Sequence, residues 1–146
     1  MSFMNGMNIS ASGMSAQRLR MDIISQNIAN VNTTRDENGQ PYRRQTVVFE
    51  EKTPIPFSRF LNSATGARMG SGVKVTSIVQ DTETPMKMVY DPSHPDANEE
   101  GYVAYPNVNT VTEMTNLIDA SRSYEANVTA FNATKNMALK GLEVGK

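Results

Sequence analysis

The sequence predicts a mixed α+β protein with a long helix at each end of the chain and a strand-and-turn insert between them. Apolar residues recur every seven positions near both termini, which is typical of helices that pack along their length against another helix. Between these stretches, short runs of β-branched residues alternate with segments rich in Gly, Pro, Asn and Asp. We therefore expect an N-terminal helical segment at 1–33, an insert at 34–106 and a C-terminal helical segment at 107–146 that pairs with the first.

The N-terminal helix is predicted over residues 5–32, where two rows of apolar residues repeat at seven-residue spacing. The first row, which we expect to face a partner helix, consists of Met7, Met14, Met21 and Ile28. The second row consists of Ile9, Ala16 and Ile23. A helix of this span would be about 40 Å long. It should end in the Asn-rich run 27–32, because Asn tolerates left-handed backbone and hydrogen-bonds to its own main chain.

The insert should contain three short strands. The Asn38-Gly39 dipeptide is a tight-turn signal, and Pro41 prevents a helix from continuing through it. We predict strands at 46–49, 73–79 and 86–90, where β-branched and other apolar residues concentrate.

Four other segments of the insert should be irregular or extended. Residues 53–57 should be extended, because two prolines bias the residues before them away from helix. Residues 63–72 contain three glycines and should form a loop. Residues 91–101 are dense in turn formers, and 102–105 should be short and extended.

The C-terminal helix is predicted to begin at a capping box, Thr110-Val111-Thr112-Glu113, in which the hydroxyl and the carboxylate satisfy free amides of the first turn. Beyond it, apolar residues again recur at seven-residue spacing. The side chains expected to be buried in packing are Leu117, Tyr124, Val128 and Phe131. Loss of a buried aromatic side chain typically costs about 3–5 kcal/mol.

Charge is distributed unevenly along the 146 residues, which carry a formal net charge of -1. Residues 35–100 hold 18 of the 29 charged side chains, whereas residues 1–34 hold only Arg18, Arg20 and Asp22. A helix whose outer face is polar but nearly uncharged is expected to meet neighbours on several sides, since charge depletion is typical of interface cores. The apolar fraction of 38% predicts a thin core in an isolated copy.

Several classes of function are excluded or disfavoured by composition. The balanced charge gives no electrostatic reason to expect nucleic acid, and the absence of Cys excludes disulfides and thiolate metal sites. No apolar run approaches the roughly 20 residues that span a membrane. Residues 1–8 contain no Lys or Arg and no long apolar core, so we do not expect a cleaved secretory signal.

Asp91, His94 and Asp96 are the only group that hints at metal binding or acid–base catalysis. A hydrolase built on them would lack a nucleophile elbow, a phosphate-binding loop and a second histidine. The turn interpretation is favoured, and we expect no catalytic, cofactor or metal site. Arg43 and Arg44 beside Tyr42 lack a wider basic stripe and are expected to form a solvated face or an ion pair between subunits.

Four stretches resemble motifs of the flagellar rod and hook axial proteins. Residues 25–33, Ser-Gln-Asn-Ile-Ala-Asn-Val-Asn-Thr, resemble the N-terminal motif of that family. Glu113-Met114, Leu117-Ile118 and the run Arg-Ser-Tyr-Glu-Ala-Asn at 122–127 resemble its C-terminal helix motif. Residues 90–98 and 101–109 look like the proximal-rod members, because distal relatives usually carry Ser where Pro106 stands.

This resemblance implies a non-enzymatic structural subunit. Family members are exported unfolded through the flagellar type III export apparatus, without a cleaved signal, and polymerise with other rod proteins into a helical tube across the periplasm. Their terminal helices form a coiled-coil-like layer, called D0, around the export channel, and the rod carries motor torque. The implied partners are proximal and distal rod subunits and the adaptor that joins the rod base to the MS ring. The alternatives are another axial subunit, or a helical adaptor that binds one partner and never polymerises.

Two further sets of residues carry expectations about assembly and export. Asn27, Asn30 and Asn127 are expected to form hydrogen bonds between subunits, with turn and cap roles as the alternative. Phe3 and Met7 have the F-x-x-x-apolar spacing that some flagellar export substrates present, with helix packing as the alternative.

Overall fold

The structure is a computed structural model and describes residues 3–36, 39–53 and 70–144. The elements, in chain order, are α1 (Phe3–Ala29), β1 (Gln45–Glu51), β2 (Val73–Gln80), β3 (Lys87–Tyr90), β4 (Tyr102–Tyr105) and α2 (Thr110–Val144). A long helix thus precedes and another follows a small β insert along the chain, and the predicted α+β class is confirmed. The predicted extended segment 53–57 and loop 63–72 lie mostly outside the described residues.

Helix α1 ends at Ala29, three residues before the predicted end. The amide and the side-chain amide of Asn30 both donate to Gln26 O, at 3.0 and 2.9 Å. The Asn30 Oδ1 also accepts a bond from the Thr33 hydroxyl at 3.1 Å. The two bonds to Gln26 O satisfy a carbonyl group of the last helical turn, and the bond to Thr33 holds the chain in a tight turn as it leaves the helix.

The strands form two separate two-stranded sheets. In the first, Lys52 N donates to Gly72 O and Asp81 N donates to Arg44 O, so β1 and β2 run antiparallel. In the second, β3 and β4 are antiparallel, with Tyr90 opposite Tyr102 and Lys87 opposite Tyr105. The strand predicted at 86–90 begins at 87, and the segment predicted as extended at 102–105 is its partner.

Helix α2 begins as predicted at Thr110, but the predicted capping box is wrong. The N-cap is Asn109, whose Oδ1 accepts the amides of Val111 at 3.0 Å and Thr112 at 3.3 Å. Asn is at least as good an N-cap as Thr, because its carbonyl oxygen reaches the free amides easily. Glu113 therefore lies one position too far along the helix to complete a capping box, and its carboxylate bonds elsewhere.

The chain divides into two compact units, each built from parts of both helices. Unit 1 comprises 1–19, 48–77 and 120–146, and unit 2 comprises 20–47 and 78–119. Among the described residues, the buried side chains of unit 1 are Ser10, Ala16 and Ala120, and those of unit 2 are Ile23, Ile24, Asn27, Val103, Pro106 and Glu113. The core is thin, as the composition predicts, and two of its largest side chains are polar.

Within unit 1, the two helices approach closely at glycines. A Cβ atom built on Gly13 would lie 2.6 Å from Asn127 Oδ1, and one on Gly6 would lie 3.4 Å from Thr134 Cγ2. Seven residues towards the C-terminus of α1 thus correspond to seven residues towards the N-terminus of α2, so the two helices run antiparallel here. Glycine costs about 1 kcal/mol of helix propensity relative to alanine, and here it allows this approach.

Candidate assembly site

Asn27 is the centre of a buried polar cluster in unit 2. Its side chain is 0% exposed and makes four hydrogen bonds. The Oδ1 atom accepts the Tyr42 hydroxyl and the Gln45 amide, both at 2.9 Å. The Nδ2 group donates to Gln45 O at 2.8 Å and to Glu113 Oε2 at 2.9 Å. All the hydrogen-bonding capacity of the side-chain amide is therefore used within the chain.

Glu113 and Arg44 form the charged part of this cluster. Arg44 Nε lies 2.9 Å from Glu113 Oε1, and the Glu113 side chain is 1% exposed whereas that of Arg44 is 26% exposed. A buried carboxylate is tolerated only when it is paired and hydrogen-bonded. Here Arg44 neutralises one oxygen while Asn27 donates to the other, so the charge is satisfied on both sides.

Asn107 joins the cluster to the loop after β2. Its Oδ1 accepts the Arg44 amide at 2.9 Å, and its Nδ2 donates to the carbonyl oxygens of Asp81 at 3.0 Å and Thr84 at 3.2 Å. The Asp81 carboxylate in turn accepts the amides of Glu83 and Thr84. These bonds, with the Thr84 amide first among them, hold the pKa of Asp81 below its ordinary value.

Tyr42 lies at the edge of the cluster, where partial burial is the larger of two causes that raise the pKa of its hydroxyl. The second cause is the negative charge of Glu113. Both favour the neutral phenol, which donates its proton to Asn27 Oδ1. The cluster thus holds the end of α1, the start of β1 and the start of α2 in one register.

The structure assigns several predicted site residues to roles within the chain. Asn27, which we expected to bond between subunits, has no polar atom left for a neighbour. Arg44, expected in a solvated face or an intersubunit ion pair, forms an intramolecular pair instead. Asn30 caps α1, and Asn127 Nδ2 donates to Ser123 O at 2.8 Å. Bonding of Asn30 and Asn127 to a neighbouring subunit stays a prediction.

Sequence reasoning missed the pairing of Asn27, Arg44 and Glu113. One signal pointed to it. Glu113 is the only charged residue between 101 and 118, and a single charge within a long uncharged run is suited to a buried pair. Nothing local identifies its partner, because Asn27 lies 86 positions away.

The residues predicted for packing are partly covered in this single copy. All eight are intermediate in exposure: Met7, Met14, Met21, Ile28, Leu117, Tyr124, Val128 and Phe131. Their complete burial on assembly stays a prediction. Phe3, of the expected export signal, is 50% exposed.

Large apolar side chains are exposed along both helices. In unit 2, Val111, Met114 and Ile118 are 71%, 53% and 54% exposed and follow one another at helical spacing on α2. In unit 1, Met137, Leu139 and Leu142 near the end of α2 are at least half exposed, as is Met4 of α1. Exposed apolar rows of this extent mark surfaces that meet another protein.

Asp91, His94 and Asp96 have turn roles. Asp91 accepts hydrogen bonds from the hydroxyl and then the amide of Ser93, and these bonds, the hydroxyl foremost, hold the pKa of Asp91 below its ordinary value. His94 Nδ1 accepts the Asp96 amide at 3.1 Å, and the Asp96 carboxylate contacts Thr34 and Arg35. In the part of the chain that the structure describes, no group of three acidic, His or Cys side chains could hold a metal ion.

No helix among the described residues is long and apolar enough to cross a membrane.

Comparison with protein families gives matches at both ends of the chain. Residues 7–35 match the family described as "Flagella basal body rod protein". Residues 99–144 match the family described as "Flagellar basal body rod FlgEFG protein C-terminal". Together these stretches contain α1 from residue 7 onward and the whole of α2. The class that they define is the rod component of the flagellar basal body.

Curated relatives narrow this class. The flagellar basal-body rod protein FlgC of Bacillus subtilis (strain 168) is 49% identical and covers 100% of both chains. The protein of that name from Borreliella burgdorferi is 43% identical, covering 99% of this chain and 98% of the relative. That from Escherichia coli O6:H1 is 40% identical over 100% of both. The chain therefore belongs to the FlgC family of flagellar basal-body rod proteins.

Proposed function

We propose that this chain is a structural subunit of the proximal rod, which polymerises with other rod subunits into a helical tube around the export channel. Its family makes it a structural rod component with a role in flagellum-dependent motility. The observation that supports the finer proposal is the pair of long helices with exposed apolar rows, because such rows leave much of the chain's packing to neighbouring subunits.

The mechanism is mechanical. Transmission of torque requires many contacts that resist shear, and none of them needs a reactive group. The buried cluster at Asn27 and Glu113 holds the helix pair and the β insert of unit 2 in a fixed register, so that load on a helix passes to the insert without local unfolding. We propose that the chain has no enzymatic activity.

The proposed partners and the proposed export route follow from a place in the proximal rod. Copies of the chain would contact proximal and distal rod subunits and the adaptor at the MS ring. The chain would be an export substrate of the flagellar type III apparatus, delivered without a cleaved signal peptide and placed in the part of the rod that spans the periplasm. Phe3 and Met7 are the proposed export signal.

Deletion of the gene, followed by electron microscopy of isolated basal bodies and a swimming assay, tests the proposal. We expect basal bodies without a completed rod and non-motile cells, with both defects corrected by the intact gene. Complete rods and hooks in the deletion strain would refute the structural role.

A further inference from the structure

His94 is the only histidine of the chain, and it lies in the connection between β3 and β4 of unit 2. Its main chain belongs to a folded turn, because His94 N donates to Asp91 O at 3.3 Å and Ala97 N donates to His94 O at 3.1 Å. Its half-buried side chain belongs to the same turn, since Nδ1 accepts the Asp96 amide at 3.1 Å. An imidazole therefore supplies one of the hydrogen bonds that shape this connection.

The hydrogen bond from Asp96 fixes the protonation state of the ring. A backbone amide can only donate, so Nδ1 must carry a lone pair, and the one ring proton of the neutral imidazole must lie on Nε2. An imidazolium carries a proton on both ring nitrogens and has no acceptor left. Because histidine side chains ordinarily titrate near pH ~6.5, this bond depends on a proton that is taken up close to neutral pH.

Asp96 joins this turn to the segment that follows α1. Its Oδ2 accepts the Thr34 hydroxyl at 2.8 Å, and its Oδ1 lies 3.5 Å from Arg35 Nη1. Asp96 is therefore held at two points, because His94 binds its amide and the segment after α1 binds its carboxylate. We call His94, Asp96, Thr34 and Arg35 the His94 link.

Carboxylates on the same turn attract a protonated ring. His94 lies close enough to Asp91 that its charge, after the hydrogen bonds from Ser93, helps to hold the pKa of Asp91 below its ordinary value. The Asp91 carboxylate already accepts the hydroxyl of Ser93 at 2.6 Å and its amide at 3.1 Å. The other negative group of the turn is the Asp96 carboxylate, two residues after His94. An imidazolium is therefore drawn from the Asp96 amide, which repels it, towards the Asp96 carboxylate.

Neighbouring elements place one cation and one aromatic ring near this turn. From the segment after α1, the Arg35 guanidinium reaches the Asp96 carboxylate. From β4, the Tyr105 ring lies with its centroid 6.5 Å from that of His94. Arg35 is 70% exposed, so it loses little when it gives up the carboxylate and returns to water. A protonated His94 therefore competes with a weakly held cation.

We infer that the His94 link is an acid-sensitive connection: neutral His94 holds Asp96 against Thr34 and Arg35, and protonated His94 releases it. The link is complete where His94 is neutral, and it is lost as the pH falls through the range in which the ring takes up a proton. Its loss loosens the β3–β4 connection from the end of α1, whereas the cluster around Asn27 contains no histidine and keeps its bonds. All of these groups lie in one unit of a single copy, so the link does not depend on assembly into a rod.

Nuclear magnetic resonance of the isotope-labelled full-length chain, purified without a histidine tag, tests the inference. The spectra are compared at about pH 8 and about pH 5, where aspartates stay ionised because they ordinarily titrate near pH ~3.9. Two nitrogen nuclei that share a hydrogen bond are scalar-coupled, so a coupling between Asp96 N and His94 Nδ1 reports the bond itself. We expect this coupling at the higher pH and its loss at the lower pH. The nuclear Overhauser effect between the side chains of Thr34 and Asp96 should be lost with it.

Two substitutions of His94 are matched controls. In His94→Asn, the side-chain oxygen lies as many bonds from the main chain as Nδ1 does, and it can accept the amide two residues on without titrating. This variant should keep the contact between Thr34 and Asp96 at both pH values. In His94→Lys, a cation without an acceptor replaces the ring, so the contact should already be absent at the higher pH.

Four results would overturn the inference. A missing coupling at the higher pH would show that the Asp96 amide does not donate to His94. A contact between Thr34 and Asp96 that survives at the lower pH, when the ring resonances show His94 protonated, would show that the ring does not control the link. A contact that persists in His94→Lys would show the same. Loss of the contact at the lower pH in His94→Asn would assign the pH dependence to another group.

Discussion

Gly13 of α1 faces Asn127 of α2 with no room for a side chain: a Cβ atom on the glycine would lie 2.6 Å from Asn127 Oδ1. The asparagine cannot easily withdraw, because its Nδ2 donates to Ser123 O at 2.8 Å. The glycine, which costs helix propensity when taken alone, therefore sets how closely the two helices pack in unit 1.

Gly13→Ala should lower the free energy of unfolding by about 1 kcal/mol, because an overpacking cost of about 1–3 kcal/mol outweighs a gain of about 1 kcal/mol in helix propensity. Urea unfolding followed by circular dichroism measures the change. Asn127→Ala in the same chain should restore most of the loss by removing the clashing atom. Gly141→Ala, whose Cβ would meet nothing within 4 Å, is the control and should leave stability unchanged or higher.

Arg44→Ala should lower the free energy of unfolding by about 3–5 kcal/mol, because it leaves the carboxylate of Glu113 buried without its cation. Arg44→Lys should recover only part of this, since an ammonium lacks the Nε donor that meets Glu113 Oε1. The control is Lys74→Ala, which breaks an exposed pair with Glu50 and should change stability little. Equal effects of Arg44→Ala and Lys74→Ala in thermal unfolding would contradict the buried-pair account.

Asn27→Ala should cost about 1–3 kcal/mol, because it leaves the polar groups of Gln45 and Glu113 without a buried partner. Asn27→Asp should cost more, since it places a second carboxylate against Glu113. Differential scanning calorimetry checks both, with Asn30→Ala at the solvent-facing end of α1 as the milder comparison. An Asn27→Asp variant as stable as the unaltered chain would show that the cluster accommodates a second negative charge beside Glu113.

Phe131→Asp should block rod assembly while leaving synthesis intact, because the predicted packing row would then carry a charge into a subunit contact. Phe131 is half-buried, so much of its surface remains available to a neighbour. Swimming rings no wider than those of the deletion strain, with normal protein amounts in cell lysates, are the expected result. Asn132→Asp, at the next and exposed position, is the control. Normal rods in the Phe131→Asp strain would show that this face is not buried in the assembly.

The two terminal helices could be predicted because their apolar rows repeat at a fixed spacing over several turns, a signal that needs no knowledge of what they pack against. Strands β2 and β3 were predicted nearly to their ends, because short runs of β-branched or other apolar residues lie there between turn formers. The element ends were less predictable. Asn30 ends α1 and Asn109 begins α2 through side-chain hydrogen bonds. Neighbouring polar residues, such as Thr110, could have filled the same role, so the sequence did not show which residue would cap the helix.

The polar cluster could not be predicted from one sequence. Asn27, Arg44 and Glu113 each have an ordinary local interpretation as turn, surface and cap residues, and only the fold brings them together. The close approach of the helices at Gly13 could not be predicted either, because a glycine within a helix indicates by itself only a lower helix propensity. Contacts between residues far apart in sequence carry no short-range signal, and these contacts decide which polar residues face inward.

A reconstruction of the isolated basal body by electron cryomicroscopy tests whether this chain builds the wall of the proximal rod. We expect the helices α1 and α2 to fit density in that wall, with the exposed row Val111, Met114 and Ile118 covered by neighbouring subunits. A proximal rod whose density excludes this fold, or that leaves this row facing solvent, would show that the chain does not form the rod wall in this way.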